Sequence, residues 1–541
     1  MSTAECSRTL LALLRAYGVD SVFGIPGNHT VEFFRHQPGS GIRHITTRHE
    51  QGAAFMADGY ARASGRPGVC LLISGPGLLN AATAIAQARA DSVPMLVISA
   101  VAPRSELGMG HGTLHELPDQ RAAAASFCLW SHTLLDPGNL PEVIHQAFTT
   151  FACTRPGPVH LEIPLDLMRA PGTTDTAARP LPLPPAPHPA AVAAAARLLE
   201  RARQPLLLAG GGATAAAEPL LALAERLDAP VLNTVNGKGL CPPGHVQHVG
   251  GSPSLPSQRR ALAAADAVLA VGTELAETDF DLLMSGPFEA GSGLIRLDID
   301  PAQLGRNARA ELSLAGDAAA GLQALLLDLG SPRGAAEPAS GSRAAALRAQ
   351  IPAEHHYHAQ MAAFLDAVRQ ALPDAVLVGD STQPTYYAAW QYECPAPRRY
   401  FHSVSGFGTL GYAIPAAFGA ALAVDRPVMA LIGDGGAQFT LAELSTGAAL
   451  GLGVPVIVWR NDGYQEIANS MTGVGVDAAS TRIQPPDFRH AAAAHGCGYQ
   501  RVSDLPGLAA ALTAAAAART PTVIEARQED FLSEPTGGWY T

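Results

Sequence analysis

The chain reads as an α/β protein made of three doubly wound, parallel-sheet domains. Three observations predict this. Its 541 residues exceed what one hydrophobic core usually serves. Two stretches poor in formers of regular structure divide it: residues 173–190, which contain Pro-Leu-Pro-Leu-Pro-Pro-Ala-Pro, and residues 331–356, rich in Ser, Gly, Pro and Ala. In each remaining segment, 1–172, 191–330 and 357–541, short Val/Ile/Leu runs alternate with Ala-rich helical patterns, as βαβ units and parallel sheets do.

The elements follow in chain order. In the first segment, Val22-Phe23 ends a strand at the glycine turn Gly24-Ile25-Pro26-Gly27. A helix starts at Arg48-His49-Glu50 and runs to Arg62, where Ser64-Gly65 stops it. A strand over 69–73 ends at Ser74-Gly75-Pro76-Gly77, and Arg155-Pro156-Gly157-Pro158-Val159 leads into Ile163-Pro164. The first linker cannot hold a helix or a central strand, because proline lacks the N–H that either would use. In the middle segment, Leu207-Leu208-Ala209 enters the turn Gly210-Gly211-Gly212. In the third, an apolar run over 428–432 ends at a turn, Gly433-Asp434-Gly435-Gly436. A helix over 440–450 follows, then a second strand over 456–459 entered through Pro455.

Composition excludes several classes. Charged residues make up 15% and hydrophobic residues 48%, enough for a large core and for buried subunit interface. Charges and glycines interrupt every apolar run before it reaches membrane-spanning length, so no membrane segment is expected. Met1 to Cys6 lack the basic and apolar regions of a secretion signal. The seven cysteines contain no C-x-x-C pair and read as reduced core thiols, which fits a cytoplasmic protein. A net charge of −11 argues against nucleic-acid binding.

The chemistry is carried by two distant motifs. Asp434 and Asn461 stand at the carboxyl ends of two successive strands, where open α/β sheets place ligands. A carboxylate, an amide oxygen and a backbone carbonyl are hard donors that suit Mg²⁺ shared with a diphosphate. The glycines let backbone N–H groups approach phosphate oxygens. The triplet Gly433-Asp434-Gly435 followed after 25 residues by Asn461 resembles the thiamine diphosphate (ThDP) motif. Alone, the triplet is a common turn. Glu50 in Arg48-His49-Glu50-Gln51-Gly52 would alone read as a first-turn acid favoured by the helix dipole. Together with Gly408-Thr409-Leu410-Gly411 and Pro415, these motifs resemble the superfamily of ThDP-dependent 2-oxo acid decarboxylases and acetolactate synthases.

The resemblance implies a set of roles. Glu50 would hydrogen-bond N1′ of the aminopyrimidine, Leu410 would wedge the cofactor into a V, and the Gly408 carbonyl would accept from N4′. Asp434, Asn461 and the Gly463 carbonyl would hold Mg²⁺. Gly27, Ser381, Thr382, Gln383, Gly433, Gly435, Gly436, Tyr464 and Gln465 would complete the cofactor site. One departure is Leu79, where the family usually has Thr before Asn80. The reaction would run through a C2 ylid and an enamine, with His29, His115 and Glu466 as candidates for proton transfer. Gly210 could turn around a nucleotide phosphate, but the pattern is weak, and FAD is not expected.

Within the superfamily, Phe23-Gly24-Ile25-Pro26-Gly27, Thr47 to Gly52, Leu114-His115-Glu116 and Gly463-Tyr464-x-Glu466-Ile467 resemble 5-guanidino-2-oxopentanoate decarboxylases. A guanidinium tail needs a carboxylate, which Glu466 or Glu116 could supply. The expected reaction is then conversion of 5-guanidino-2-oxopentanoate to 4-guanidinobutanal. The alternatives are a carboligase joining two pyruvate-derived units, a nucleotide-dependent oxidoreductase built on the Gly210 turn, and a non-catalytic relative. The resemblance also implies a homodimer or homotetramer with each site shared between subunits.

Overall fold

Runs of Val, Ile, Leu and Ala buried on both faces form the strands, as sheets covered on both sides require. The structure is a computed structural model that describes residues 5–280, 286–330, 340–354 and 357–533. Its strands make three sheets. The first holds β1 (Ser21–Gly24), β2 (Arg43–Thr46), β3 (Gly68–Leu72), β4 (Met95–Val101), β5 (Ser131–Thr133) and β6 (Pro158–Pro164), in the order β2-β1-β3-β4-β6-β5. The second holds β7 (Pro205–Ala209), β8 (Val231–Asn233), β9 (Ala267–Val271), β10 (Leu294–Asp298) and β11 (Leu312–Ala315), in the order β11-β10-β9-β7-β8. The third holds β12 (Val376–Gly379), β13 (Tyr400–His402), β14 (Val428–Gly433), β15 (Pro455–Arg460), β16 (Gly498–Val502) and β17 (Thr522–Arg527), in the order β13-β12-β14-β15-β17-β16. Each named pairing is parallel. The α/β architecture expected from the sequence is therefore the one observed.

Sheets one and three repeat one topology, since counting strands within each sheet gives 2-1-3-4-6-5 both times. In each sheet the winding reverses between its first and third strands, which are neighbours. That reversal opens a crevice at the carboxyl ends of those strands. It lies beside Gly27 and Ser74 in the first sheet, and beside Asp380 and Asp434 in the third.

The two repeats are joined by their equivalent helices. Helix Glu50–Ser64 ends on Gly65 in the left-handed conformation (φ 75°), and it crosses helix Ala413–Ala423. A Cβ on Gly59 would overlap the Ala416 carbonyl, and one on Gly419 would overlap that of Met56. The backbones touch there, so one hydrophobic core runs from Phe23 and Phe55 through Tyr412 and Phe418 to Phe488. At its edge the buried Asp58 and Asp91 flank Arg62, and the Tyr412 hydroxyl donates to Asp58.

Two expectations are corrected. Residues 331–356 do not form a bare linker, because helix Ser340–Arg348 and a 3-10 turn Ile351–Ala353 lie within them. That helix packs Ala344 and Leu347 against the central domain, so composition alone misjudged it. Residues 331–339 and 355–356 of the stretch lie outside the described residues. The glycines after β14 are likewise not a free turn. Gly433 caps helix Asp434–Thr440, so Gly435 and Gly436 lie in its first turn.

Candidate active site

The first half-site gathers around the turn after β3. Helix Glu50–Ser64 follows β2, which places Glu50 at its first position with 8% exposure. The Asn80 amide donates to its Oε2 at 2.9 Å. A Cβ on Gly77 would come 3.7 Å from Glu50 Oε1, and Gly27 packs its backbone on Ile73 of the same turn. His29 hydrogen-bonds through Nδ1 to the Ser74 hydroxyl. Its ring stands edge-on to His115, with centroids 4.9 Å apart. Burial, followed by the neighbouring His115, holds the His29 pKa below the ordinary histidine value, which keeps the ring neutral. His115 has a positive φ of 62°, and its carbonyl lies where a Cβ on Gly75 would be. Such backbone is rare for a non-glycine residue and holds the imidazole against the turn. The structure thus brings together Gly27, His29, Glu50 and His115.

The second half-site lies at the carboxyl ends of β12, β14 and β15. Asp434, 1% exposed, accepts from the N–H of Gly435 at 2.9 Å and of Asp462 at 2.7 Å. Burial pushes its pKa up to about 6. No cation pairs with it among the described residues, a situation a carboxylate tolerates only with backbone donors, a proton or a metal. Asp462 adopts φ 57°, which swings the chain so that Asn461 and Gly463 flank the site. Asn461 donates through Nδ2 towards Gln383 and Gln528, each at 3.4 Å, so its Oδ1 is not used in these bonds. The bridge between Gly463 and Arg482 is closed by the N–H groups of Tyr464 and Ile483, which leaves the Gly463 carbonyl out. A Cβ on Gly433 would come 3.0 Å from the Thr382 hydroxyl, and one on Gly435 would come 2.7 Å from the Tyr464 ring. The glycines therefore form a cradle with no room for side chains.

Above this cradle runs the loop 403–411. The Ser381 and Ser403 hydroxyls donate to the Thr409 carbonyl at 3.3 and 2.7 Å. Gly408 is exposed with φ 70°, and nothing lies where its Cβ would be. Leu410 is only partly buried, unlike a core leucine, while Tyr412 beside it is fully buried.

Glu466 and Gln465 start helix Gln465–Gly473 and face different ways. Glu466 lines a small pocket with Thr385, Tyr386 and His402, closed from the central domain by Val235 and Phe280. Gln465 lines a groove with Asn461 and Gln528, and its amide donates to Asn469 at 2.8 Å. Glu116 instead caps its own loop, accepting from the N–H groups of Gly110, Gly112 and Thr113. The Gly211–Gly212 turn borders a cavity of about 400 Å³ where all three domains meet. Asp279 and Asp298 also border it, and burial raises both carboxyls, Asp279 to about 6.

Sequence reasoning missed three buried polar organisers. Asp380 accepts from the N–H of Ser381, Gly411 and Ala413, and so ties the turn after β12 to the loop that carries Leu410. Gln120 accepts from the Gly75 N–H at 2.8 Å and donates to Glu162 at 3.0 Å, which anchors the first half-site. Glu443 accepts from Arg48 and His49. The Asp380 signal was present in Gly379-Asp380-Ser381-Thr382, a strand end followed by turn residues. The other two have no local signature.

Comparison with known proteins accords with the geometry. Residues 4–123 match the N-terminal TPP binding domain of thiamine pyrophosphate enzymes, 192–325 the central domain and 380–526 the C-terminal TPP binding domain. The chain is 46% identical over 534 residues to the probable 2-ketoarginine decarboxylase AruI of Pseudomonas aeruginosa, covering 97% of this chain and 94% of that protein. It is 34% identical to the acetolactate synthase large subunit of Parasynechococcus marenigrum, over 97% of this chain and 87% of the relative. It is 33% identical to the acetolactate synthase of Arthrospira platensis, over 84% and 81%. No helix among the described residues is long and apolar enough to cross a membrane. Two glycine-lined crevices on duplicated sheets, three matched domains and full-length relatives place the chain in the thiamine pyrophosphate enzyme family, in the superfamily of 2-oxo acid decarboxylases and acetolactate synthases.

Proposed function

We propose that the chain is a ThDP- and Mg²⁺-dependent decarboxylase of a 2-oxo acid with a guanidinium tail, converting 5-guanidino-2-oxopentanoate and a proton to 4-guanidinobutanal and CO₂. The observation that carries it is 46% identity across 97% of the chain to a 2-ketoarginine decarboxylase. The residues fit the cofactor. Asp434, buried without a cation among the described residues, accepts from the N–H of Asp462, whose two chain neighbours are Asn461 and Gly463, and a carboxylate, an amide oxygen and a backbone carbonyl from these three would suit Mg²⁺. Gly433, Gly435 and Gly436 with Ser381, Thr382 and Gln383 would hold the diphosphate. Tyr464 and Gln465 border that end, and Gly27 borders the other. Leu410 and the Gly408 carbonyl would seat the rings, with Glu50 at the aminopyrimidine. When bound, ThDP supplies the electron sink for the pair released as CO₂ leaves.

The remaining work falls to this chain's own side chains. His29, neutral and tied through Nδ1 to Ser74, keeps Nε2 for moving a proton near neutral pH. His115 stands against it as a second carrier. Glu466 would take the guanidinium, a charge-assisted contact worth about 1.5–3 kcal/mol.

Each complete site is proposed to need two chains in a homodimer or homotetramer, located in the cytoplasm and without FAD. Neither the Glu50 nor the Asp434 carboxylate has a hydrogen-bond partner on the other's domain among the described residues. Exposed apolar side chains flank both halves: Leu79 (46%) beside Asn80, Phe407 (56%) before Gly408 and Phe439 (52%) against Gly411. A second copy would cover them.

The test is CO₂ release across pyruvate, benzoylformate, branched oxo acids and the guanidino acid, with aldehyde and acyloin products separated. The guanidino acid should be preferred, and Glu466→Gln should raise its KM by roughly tenfold to a hundredfold. Preference for pyruvate with acetolactate formed would favour the carboligase reading, which the 34%-identical acetolactate synthase supports. Titration calorimetry should show Mg²⁺-dependent ThDP binding that Asp434→Ala abolishes, and its persistence would remove the metal assignment.

A further inference from the structure

Glu443 is a carboxylate in an unusual place. It is 1% exposed, between helices Asp434–Thr440 and Leu444–Leu450 of the third domain. Its Oε1 accepts from two successive backbone N–H groups of the first domain, Arg48 and His49, both at 2.9 Å. Its Oε2 accepts from the Thr446 hydroxyl at 2.6 Å. The Arg48 guanidinium bonds instead to the carbonyls of Thr46 and Ser445. The carboxylate is therefore spent on holding backbone, and the backbone it holds is the pair of residues directly before Glu50.

The local geometry is over-determined. His49 caps the helix, its own Nδ1 accepting from Gln51 N–H at 3.1 Å. The Thr47 hydroxyl donates to the His49 carbonyl at 3.0 Å. Gly52 faces the carboxylate so closely that a Cβ would overlap Oε1 and force the Glu443 side chain off its amides. Gly52 is the third residue of this helix, a position where glycine is disfavoured relative to alanine. The close approach of Glu443 accounts for it. At its far end the Glu50 side chain is held only by Asn80 among the described residues, so the direction in which it leaves the backbone is set by residues 48 and 49.

We infer that Glu443 is the positioning residue for Glu50: it reaches from the third domain of the same chain to hold the Arg48 and His49 amides, and thereby aims the Glu50 carboxylate. This rests on the reading that Glu50 serves the ThDP aminopyrimidine. A displacement of order 1 Å at a reacting group costs up to about a hundredfold in rate, so loss of the hold should appear in what Glu50 does more than in cofactor affinity.

Three variants test this in the full-length protein: Glu443→Ala, Glu443→Gln and Gly52→Ala. Glutamine keeps an oxygen for both amides, whereas Gly52→Ala leaves the charge in place and displaces it. In the cofactor-free protein, hydrogen–deuterium exchange should show lost protection over 48–52 for Glu443→Ala and Gly52→Ala, and retained protection for Glu443→Gln. With ThDP and Mg²⁺ bound, exchange of the cofactor's C2 proton should fall roughly tenfold to a hundredfold in the first two variants. It should stay near wild type in the third, with ThDP affinity little changed in all. Wild-type C2 exchange in Glu443→Ala or in Gly52→Ala would overturn the inference. So would equal loss in Glu443→Gln, since charge and not backbone position would then matter. Should Glu443→Ala fail to fold, Gly52→Ala carries the test, because alanine favours the helix. Glu50→Gln is the control: wild-type exchange there sinks the Glu50 reading itself, while the amide protection still reports the Glu443 contact.

Discussion

A histidine taken wholly out of water must stay neutral, and the chain uses several in this way. His160 on β6 is 0% exposed, bonded at both ring nitrogens to Ser99 and Ser131. Ser99 also accepts from Gln120, which holds the Gly75 turn of the first half-site. Burial pushes the His160 pKa down to about 3 from an ordinary 6.5. Above pH 6.5 the folded and unfolded chains are both neutral here, so the group adds no pH dependence. Between 6.5 and 3 only the unfolded chain takes the proton, so stability falls by about 1.4 kcal/mol per pH unit from this residue. In His160→Gln that component is absent. The stability advantage of wild type over the variant, measured by urea denaturation, should therefore shrink by about 2 kcal/mol between pH 7 and pH 5. An advantage constant across that range would mean the ring takes up its proton as readily in the fold as in the unfolded chain. Residues such as His160, Gln87, Gln120 and Glu443 were invisible in the sequence because their partners are set by packing. Arg48 and Glu443 are 395 positions apart. Glu50, Asp434 and Asn461 stood out in the sequence as candidates because the motifs that carry them have fixed neighbours: a helix start, a glycine turn, and a strand end one βαβ unit further on.

At the scale of elements, legibility followed periodicity. Strands buried on both faces, such as β4 and β14, announced themselves as continuous apolar runs. The helix end at Gly65 was equally plain. Helix Ser340–Arg348 was not, since Ser and Gly at its start signal a linker and only contact with the central domain makes it worth folding. Nor did the sequence say which helices meet. The contact between Glu50–Ser64 and Ala413–Ala423 depends on two glycines facing two carbonyls, and a glycine in an Ala-rich helix looks merely tolerated. Gly419→Ala isolates the point. Helix propensity alone would stabilise the variant by about 1 kcal/mol. The added methyl would instead overlap the Met56 carbonyl, and backbone cannot step aside as a side chain does. Overpacking of this kind costs about 1–3 kcal/mol or more, so thermal denaturation should show a net loss of stability. A more stable variant would mean the helices can separate freely. The same crossing receives Gln87, whose amide donates to Asp91 and the Ser405 carbonyl and accepts from Thr409 N–H and hydroxyl. The loop bearing Leu410 is thus referenced to the first domain by side chain as well as by backbone contact.

At the scale of the molecule, the duplicated topology raises a question of assembly. Two sheets with one strand order carry two crevices of different character, one with Glu50 and two histidines, the other with the Asp434–Asn461 oxygens. The proposed function would use both, one for the charged tail of the cofactor and the other for its aromatic head. Within a chain the two domains are already committed to each other through the helix crossing, Glu443 and Gln87. Exposed Leu79, Phe407 and Phe439 rim the two crevices. A two-fold dimer would bring the first crevice of each chain to the second crevice of its partner and bury those rims, making two equivalent sites. Mixed chains decide it. Glu50→Gln and Asp434→Ala should each be inactive as homodimers. In a hybrid, one site would receive both lesions and the other neither. Co-expression in equal amounts should then restore about a quarter of wild-type activity, since half the dimers are hybrids and one of their two sites is intact. If each chain completed its own site, every site in the mixture would carry one lesion and no activity would return.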